Sequence, residues 1–178
     1  MGAPDPGEFA GKRVAVTGGT KGTGLAVFRR FAAGGAAAIT AARSPCPDAV
    51  PQSAFVQADL ATAEGCCAFA AAALERLGGI DILVHVLGGS QAPGGGFAAS
   101  DDAVWQAELE LNLLSAVRVD HALLPQMIAR GSGAVIHTAS IQHRLPLHDA
   151  TTALPPPRPR SPPTARRFPR KWDPRESA

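Results

Sequence analysis

Five short apolar runs alternate with longer helical stretches along residues 13–138, and this alternation constrains the fold more than any other feature. The runs are apolar almost throughout, not at every second position, which is typical of strands covered on both faces. Strands that alternate with helices pair in parallel, because each helix carries the chain back along the sheet. The sequence therefore predicts a doubly wound α/β fold with a parallel sheet of about five strands. The strands are predicted at 13–17, 36–42, 54–57, 80–87 and 133–138.

Small polar residues and glycines mark the ends of the predicted helices. A first helix is expected to begin near Gly22. Thr62 is placed to cap a helix over 63–77, which Gly78 would end. The acids at 101 and 102 are expected to start a long helix that runs towards residue 130. The apolar stripe of this long helix consists of Leu109, Leu113, Ala116, Val117 and Leu124.

The composition changes at about residue 153. The last 25 residues hold seven basic and two acidic side chains and eight of the sixteen prolines, whereas the 153 residues before them carry a net charge of −3. Such a Pro/Arg-rich segment cannot bury enough apolar surface to offset the entropy of ordering it. We therefore expect one partial domain over residues 1–153 and a disordered tail over 154–178.

Several classes of protein are disfavoured by what the sequence contains. No apolar run approaches the roughly 18 residues that a membrane span needs, and the N-terminus lacks the features of a leader, so the sequence predicts a cytoplasmic protein without a membrane partner. Cys46, Cys66 and Cys67 form no metal or redox motif and are expected to be small buried thiols. His85 and His137 fall in apolar strands with no carboxylate at metal-ligand spacing, so we expect satisfied core histidines and no metal site.

A glycine-rich loop separates the first predicted strand from the first predicted helix. In this position loop and helix amides can hold a pyrophosphate, with one glycine for the tight turn, one for the approach of the phosphates and one for helix-strand packing. Gly18, Gly22 and Gly24 would fill these three roles in that order. The candidate cofactor-binding residues of the loop are Gly18, Thr20, Lys21, Gly22, Thr23 and Gly24.

The loop matches the pattern T-G-x-x-x-G-x-G of the short-chain dehydrogenase/reductase family, and four later motifs occur in the family's order. Asp59 and Leu60 resemble the family's adenine-contacting segment after the third strand. Gly88 ends a fourth strand that resembles the family's, although His85, Val86 and Leu87 stand where the family has N-N-A, which puts the polar stabilisation of this loop in doubt. Asn112 lies where the family has its helix asparagine, and Ser140 where it has the serine after the fifth strand.

The resemblance implies a Rossmann-type fold and an oxidoreductase that interconverts small carbonyl and alcohol substrates with a nicotinamide cofactor. By the same resemblance Ser140 would hydrogen-bond the substrate carbonyl, and Asn112 would hold a water in a proton relay. Taken singly, the two residues could equally be a strand-end hydroxyl and a helix kink. The resemblance also implies a homo-oligomer, which we expect to be impaired because the family's sixth and seventh strands are missing.

The choice of cofactor is predicted from charge. NAD-specific sites place an acid about 20 residues beyond the glycine loop to bind the ribose 2′-hydroxyl, whereas this chain has Arg43 there and Lys21 within the loop. Arginine pairs well with a phosphate, so we predict NADP in preference to NAD. The alternative, that both cations are ordinary solvated charges, stays open at this point.

The family's proton donor is missing. Its chemistry resembles carbonyl reduction in which a tyrosine gives the proton and a lysine four residues later lowers the tyrosine's pKa, but this chain contains no tyrosine and has Leu154 and Arg158 at these places. The sequence therefore predicts an inactive reductase. A change of reading frame near codon 154 would explain the altered composition, because with permitted synonymous codons the shifted frame resembles the family's next helix. One residue of the shifted frame does not depend on the choice of codons. If the frame moves back by one base, the last base of the Trp172 codon and the first two bases of the Asp173 codon must encode glycine.

Two other functions are kept as alternatives. The chain could be a nucleotide-binding remnant without catalysis. It could also be an interaction protein whose tail, 155–163, binds an aromatic groove as a polyproline helix or meets nucleic acid through its cations. The tail motif is weak, so we expect a small-molecule substrate and no nucleic-acid partner.

Overall fold

A computed structural model of the chain describes residues 5–94 and 99–140, together with the backbone of residues 166–167. Its strands are β1 (Arg13–Thr17), β2 (Ala37–Ala42), β3 (Phe55–Gln57), β4 (Ile82–His85), β5 (Ala134–His137) and β6 (Arg166–Arg167). Its α-helices are α1 (Gly22–Ala33), α2 (Ala63–Leu77), α3 (Asp102–Leu109) and α4 (Ser115–Ala129), with a short 3-10 turn at Gln52–Ala54 and a π-helical turn at Glu110–Leu114. The first five strands are parallel, in the order β3-β2-β1-β4-β5, which confirms the predicted fold class.

The predicted capping residues are placed as the sequence indicates. The Thr62 side chain accepts a hydrogen bond of 3.0 Å from the Gly65 amide at the start of α2. The Asp101 carboxylate accepts one of 2.9 Å from the Val104 amide at the start of α3. Gly78 ends α2 in the left-handed conformation, with a φ of +69°. These contacts satisfy backbone groups that a helix end otherwise leaves unpaired, so the helix boundaries follow from local sequence.

The core lies on both faces of the sheet. On one face α2 and α4 cover buried side chains such as Ile39, Phe69 and Leu83. On the other face the buried cluster includes Val16 on β1 and Phe28 on α1. Strands with buried residues on both faces read as apolar runs, which is why the alternation of these runs with helices predicts the architecture.

The long predicted helix is interrupted where the sequence alone predicts continuity. A π-helical turn at Glu110–Leu114 separates α3 from α4. A π turn holds more residues than an α turn, so it shifts which side chains of α4 face the core. The predicted stripe is therefore wrong, because its residues are only half-buried. The fully or nearly buried residues of α4 are Ser115, Val119, Leu123 and Met127.

Two further expectations are changed by the structure. β6, which the sequence does not predict, pairs antiparallel with β5 opposite Ala134 and Val135, while the rest of the predicted tail lies outside the described residues. Of the predicted buried thiols, Cys66 is buried and Cys67 is exposed, because neighbouring residues of a helix point in different directions. In the ranges that the structure describes, no helix combines the length and the apolar character that a membrane crossing needs.

A charged pair joins β1 and β4 at the amino end of the sheet. The Asp81 carboxylate accepts hydrogen bonds from the Arg13 backbone amide, Nε and Nη2, at 3.0, 2.9 and 2.6 Å. The hydrogen bond from the Arg13 side chain, together with its charge, holds the pKa of Asp81 below its usual range. This pair therefore stabilises the folded chain above the usual carboxyl pKa, and the contribution is lost as the pH falls through the lower folded pKa.

We expect Asp81→Asn to lower the free energy of unfolding by about 1–3 kcal/mol at pH 7, since hydrogen bonds to charged groups contribute roughly that much. Urea unfolding at pH 7 and at pH 3 measures the effect. The loss should shrink at pH 3, below the ordinary carboxyl pKa, because the unfolded wild-type chain then binds a proton at Asp81 that the lowered pKa of the folded chain resists. Asp48→Asn, on an exposed loop, is the control and should change little at either pH. A loss for Asp81→Asn that is the same at both pH values contradicts the role of this charge.

Candidate functional site

The loops that follow β1 and β4 meet at the carboxyl edge of the sheet. β1 and β4 are neighbours in the sheet, although β2 and β3 lie between them in the chain. A Cβ atom on Gly18 would lie 3.1 Å from the Leu87 Cα, so the two loops are in backbone contact. In open α/β sheets this point, where the strand order reverses, is where ligands bind.

The glycine loop is shaped by two different requirements. Gly18 and Gly22 have φ values of +71° and +52°, a region that favours glycine. Gly24 is held by contact, since a Cβ atom there would lie 2.0 Å from the Gly18 carbonyl oxygen. Gly24 thus lets α1 approach the loop itself, where the sequence analysis expects an approach to the strand. Among the described residues, apart from its chain neighbours and the backbone of its own helix, no atom lies within 4 Å of a Cβ placed on Gly22, so this face of the loop is open to a ligand there.

Two threonines that the sequence analysis does not single out hold the loops in place. The buried Thr40 hydroxyl on β2 donates to the Val16 carbonyl at 2.7 Å and accepts from the Gly19 amide at 2.9 Å. The Thr17 hydroxyl accepts from the Val86 and Leu87 amides at 3.2 and 3.3 Å. A polar residue in a buried strand, at its end for Thr17 and within it for Thr40, was the available signal, because buried hydroxyls need partners.

The segment after β4 is fastened to α3 and the π turn. Asn112 accepts from the Gly89 amide at 2.9 Å and donates to the Gly89 carbonyl at 2.8 Å. Glu108, which is 3% exposed, accepts from the Gln91 amide at 2.8 Å and from the Asn112 amide at 3.2 Å. These bonds supply the polar support that the family's N-N-A residues would give. Sequence reasoning missed Glu108, because its role depends on the turn that brings it towards Gln91.

Asp59 and Leu60 lie at the carboxyl edge, just after β3. The Asp59 carboxylate accepts from the Ala61 amide at 3.0 Å, and its carbonyl accepts from the Thr62 hydroxyl at 2.9 Å. Leu60 is 3% exposed and belongs to the core. Its side chain therefore packs, and only its backbone remains for a ligand.

Arg43 is the first residue beyond β2 and lines a surface cleft of about 300 Å³ together with Ala61, Gln91 and Leu111. The cleft also contains Glu108 and Glu110. The Arg118 guanidinium beside Glu110 donates a hydrogen bond to it and holds the pKa of that carboxyl below its usual range. Both acids thus have partners, and within residues 5–94 and 99–140 neither of them is paired with Arg43.

The remaining predicted residues lie around this edge, and all of them except Thr20 are exposed. Thr20 lies half-buried in the loop, Lys21 immediately precedes α1, Thr23 lies in the first turn of α1, and Gly88 follows β4. Gly88 approaches the Asn112 side chain, whose Oδ1 would lie 3.2 Å from a Cβ atom added there. Ser140 is exposed three residues beyond β5, and His143, His148, Leu154 and Arg158 lie outside the described residues.

The prediction of satisfied core histidines holds for one of the two strand histidines. His85 is 5% exposed and its Nε2 lies 2.9 Å from Oδ1 of Asp120 on α4, so it is a satisfied buried residue as expected. The His137 side chain is 40% exposed, so the prediction of a core residue is wrong there. The carboxylate that the sequence spacing does not indicate comes from α4, because the fold brings α4 over both strands.

The donors at this edge suit a dinucleotide. The first amides of α1 have no partner within their own helix, and the positive end of the helix favours anions. The open face at Gly22 admits a phosphate, and Arg43 offers a planar cation beside the cleft. The glycine cradle and these donor groups fit a nicotinamide dinucleotide.

Known proteins resemble this chain in sequence. A model of the short chain dehydrogenase family matches residues 12–151. An uncharacterized oxidoreductase of Bacillus subtilis is 35% identical over 138 residues, which cover 72% of this chain and 51% of the relative. The chain spans about half the length of the curated relatives it matches.

Solved structures extend this likeness to three dimensions. L-sorbose reductase from Gluconobacter frateurii, complexed with NADPH and L-sorbose, is 34% identical with a TM-score of 0.73, covering 84% of this chain and 59% of that one. An NADH-dependent reductase complexed with NAD is 28% identical with a TM-score of 0.73, covering 83% and 67%.

Proposed function

Because the chain belongs to the short-chain dehydrogenase family, we propose that it descends from an NADP-dependent carbonyl reductase and that its 178 residues bind the cofactor without reducing carbonyls. The observation that carries the proposal is the glycine cradle. The contact of Gly24 with the Gly18 carbonyl shapes the loop, and the open face at Gly22 lies at the amino end of α1.

The preference for NADP rests on charge at the carboxyl end of β2. Arg43 stands where NAD-specific sites have an acid, and both acids of the neighbouring cleft already have hydrogen-bond partners. An arginine can give two parallel hydrogen bonds to a 2′-phosphate, and Lys21 adds a second cation. Solved relatives bind either NADPH or NAD, so the family alone does not decide this preference.

The residues of this chain would act on the cofactor and substrate in separate ways. Gly18, Gly22 and Lys21 would hold the pyrophosphate, and Arg43 the 2′-phosphate. When bound, the nicotinamide supplies hydride chemistry. Ser140 would donate a hydrogen bond to the substrate carbonyl, whereas Asn112 already uses its side chain to fix the segment after β4.

The proton donor is what the chain lacks. It contains no tyrosine, and Arg158 stands in the lysine's place. Arginine stays protonated at every ordinary pH, so it cannot tune a neighbouring acid as a lysine does. Binding without turnover is therefore the function that the residues present support best, and small carbonyl or alcohol compounds are the substrate class of the ancestral reaction.

Arg43→Asp tests the cofactor preference. We expect the wild-type chain to bind NADPH more tightly than NADH in a fluorescence titration, and the variant to shift the affinity ratio by at least about 10-fold towards NADH. The reason is that a hydrogen bond to a charged group contributes roughly 1.5–3 kcal/mol, and each 1.4 kcal/mol or so is tenfold in affinity.

Lys12→Asp provides the matched control, since it makes the same change of charge just before β1 at the opposite edge of the sheet. It should leave the ratio within about twofold of wild type if the effect is local. A wild-type preference for NADH, or an equal shift in both variants, overturns the assignment of Arg43.

A further inference from the structure

Two histidines and an aspartate come together at the carboxyl ends of β4 and β5. His85 and His137 are register partners on adjacent parallel strands, so their side chains lie on the same face of the sheet. Their rings stack with centroids 4.6 Å apart and an angle of 15° between their planes. Asp120 reaches both rings from α4, which covers this face.

The ligand atoms of the three side chains lie close together. Nε2 of His85 lies 2.9 Å from Oδ1 of Asp120, and Nε2 of His137 lies 3.7 Å from Oδ2 of the same carboxylate. One ligand atom from each residue can be chosen so that all three lie within 4.8 Å of one another. None of these residues takes part in the cofactor site described above.

We propose that His85, Asp120 and His137 form a binding site for a divalent transition-metal ion, with zinc as its best occupant. Two imidazole nitrogens and one carboxylate oxygen are a donor set that zinc accepts. Three protein ligands leave the fourth tetrahedral position to water.

The observed distances suit this geometry. Zinc binds nitrogen and oxygen at about 2.0–2.2 Å, which places two tetrahedral ligand atoms about 3.3–3.5 Å apart. The two nitrogen-oxygen separations, 2.9 and 3.7 Å, lie on either side of that range. The two contacts use different carboxylate oxygens, so binding would require side-chain rotations that bring both nitrogens and one oxygen around the ion.

Asp120 faces one imidazole ring with each of its two carboxylate oxygens. An imidazole that donates to Asp120 needs only one carboxylate oxygen, and the His85 ring already contacts Oδ1. The second ring stands parallel to the first and faces the other oxygen at 3.7 Å, beyond ordinary hydrogen-bond distance. An ion held between the two rings would contact both imidazoles and the carboxylate at once, and its binding would require neutral rings and an ionised carboxylate.

The two histidine ligands differ in how deeply they are buried. His85 is 5% exposed and is fixed within the sheet, whereas the His137 side chain is 40% exposed and leaves a path for the ion. A bound ion would connect β4, β5 and α4. It would thereby fasten β5, the last parallel strand that the structure describes.

Zinc titration of the full 178-residue chain by calorimetry, after removal of metal with a chelator, tests the proposal. We expect one equivalent of zinc to bind to the wild type. His137→Gln and Asp120→Asn should each weaken binding by at least about 10-fold, since even a partner outside the ligand set commonly costs 10–100-fold in metal affinity. His121→Gln is the matched control, because His121 is exposed and adjoins Asp120 on α4 but does not belong to the cluster; it should bind zinc as the wild type does.

Thermal unfolding gives a second readout that needs no cofactor. Zinc should raise the Tm of the wild type and of His121→Gln, and should raise the Tm of His137→Gln much less. His137 is partly exposed, so its replacement is expected to fold even if Asp120→Asn does not. Failure of the wild type to bind zinc, or binding by His137→Gln with wild-type affinity, overturns the proposal, and neither result bears on the cofactor site.

Discussion

The purified 178-residue chain is expected to bind NADPH and to show no carbonyl reduction above a trace. Loss of a general acid typically costs about 10²–10⁴ in rate, and this chain has neither the family's tyrosine nor its lysine. The measurement is NADPH oxidation against a panel of small ketones and aldehydes, with cofactor binding checked on the same sample. Turnover near ordinary enzyme values, about 1–10³ s⁻¹, would show that another group donates the proton, with His143 and His148 the first to replace.

Two rescue variants separate a missing residue from a missing segment. Leu154→Tyr combined with Arg158→Lys should restore little activity, because the three prolines at 155–157 oppose the helix that would present both side chains on one face. Replacing everything after Ala153 with a continuation of the family type, taken from the shifted reading frame, should restore reduction of at least one panel member. Activity in the double variant, and none in the chimaera, would contradict the proposed change of frame.

Gly24→Ala is expected to disrupt both the folded state and the cofactor site. The added methyl group would stand 2.0 Å from the Gly18 carbonyl oxygen, which belongs to the backbone and cannot rotate away. Overpacking of this kind costs about 1–3 kcal/mol or more, and in a chain of this size each 1 kcal/mol lowers the Tm by roughly 2–4 °C. NADPH affinity should fall with it, because the carbonyl that moves is part of the loop.

Gly22→Ala provides a contrasting change within the same loop. In the described part of the chain, apart from its neighbours and its own helix backbone, its Cβ would meet nothing within 4 Å, so the φ of +52° is what opposes the substitution there, at a cost of about 1–2 kcal/mol. The methyl group would occupy the open face where the phosphates are proposed to approach. We therefore expect the smaller fall in Tm and a loss of NADPH affinity of at least about 10-fold, estimated from one lost hydrogen bond to a charged group. Unchanged NADPH affinity in Gly22→Ala would contradict the placement of the phosphates.

The architecture could be predicted from sequence because its causes are local. The buried strands are apolar runs, and Thr62 and Asp101 cap helices where their spacing indicates. Strand β1 and helix α2 were predicted to the residue. The π turn could not be predicted in this way, since it appears only where α3 and α4 meet the segment after β4.

The part of the candidate site that one continuous motif forms was predictable from sequence. The part that residues from distant elements form was less predictable. The glycine loop and Arg43 are adjacent to predicted strand ends, so their positions follow from the order of elements. Glu108 and Asp120 lie on helices, and their contacts depend on how these helices pack against other sections of the chain. Spacing along the sequence cannot reveal such partners, because the residues in contact are 17 and 35 positions apart in the chain.

The strand order also has a consequence during synthesis of the chain. β1 pairs with β2 on one side and with β4 on the other, and β4 begins 65 residues after β1 ends. At translation rates of about 5–20 residues per second, roughly 3–13 s separate the two strands. During that interval Val14 and Val16 stand on a strand with one unpaired edge, while the nascent polypeptide is still attached to the ribosome. Of the strand pairs in the described sheet, β1 and β4 are separated by the longest stretch of chain, so the pairing at the centre of the sheet has the longest delay during synthesis.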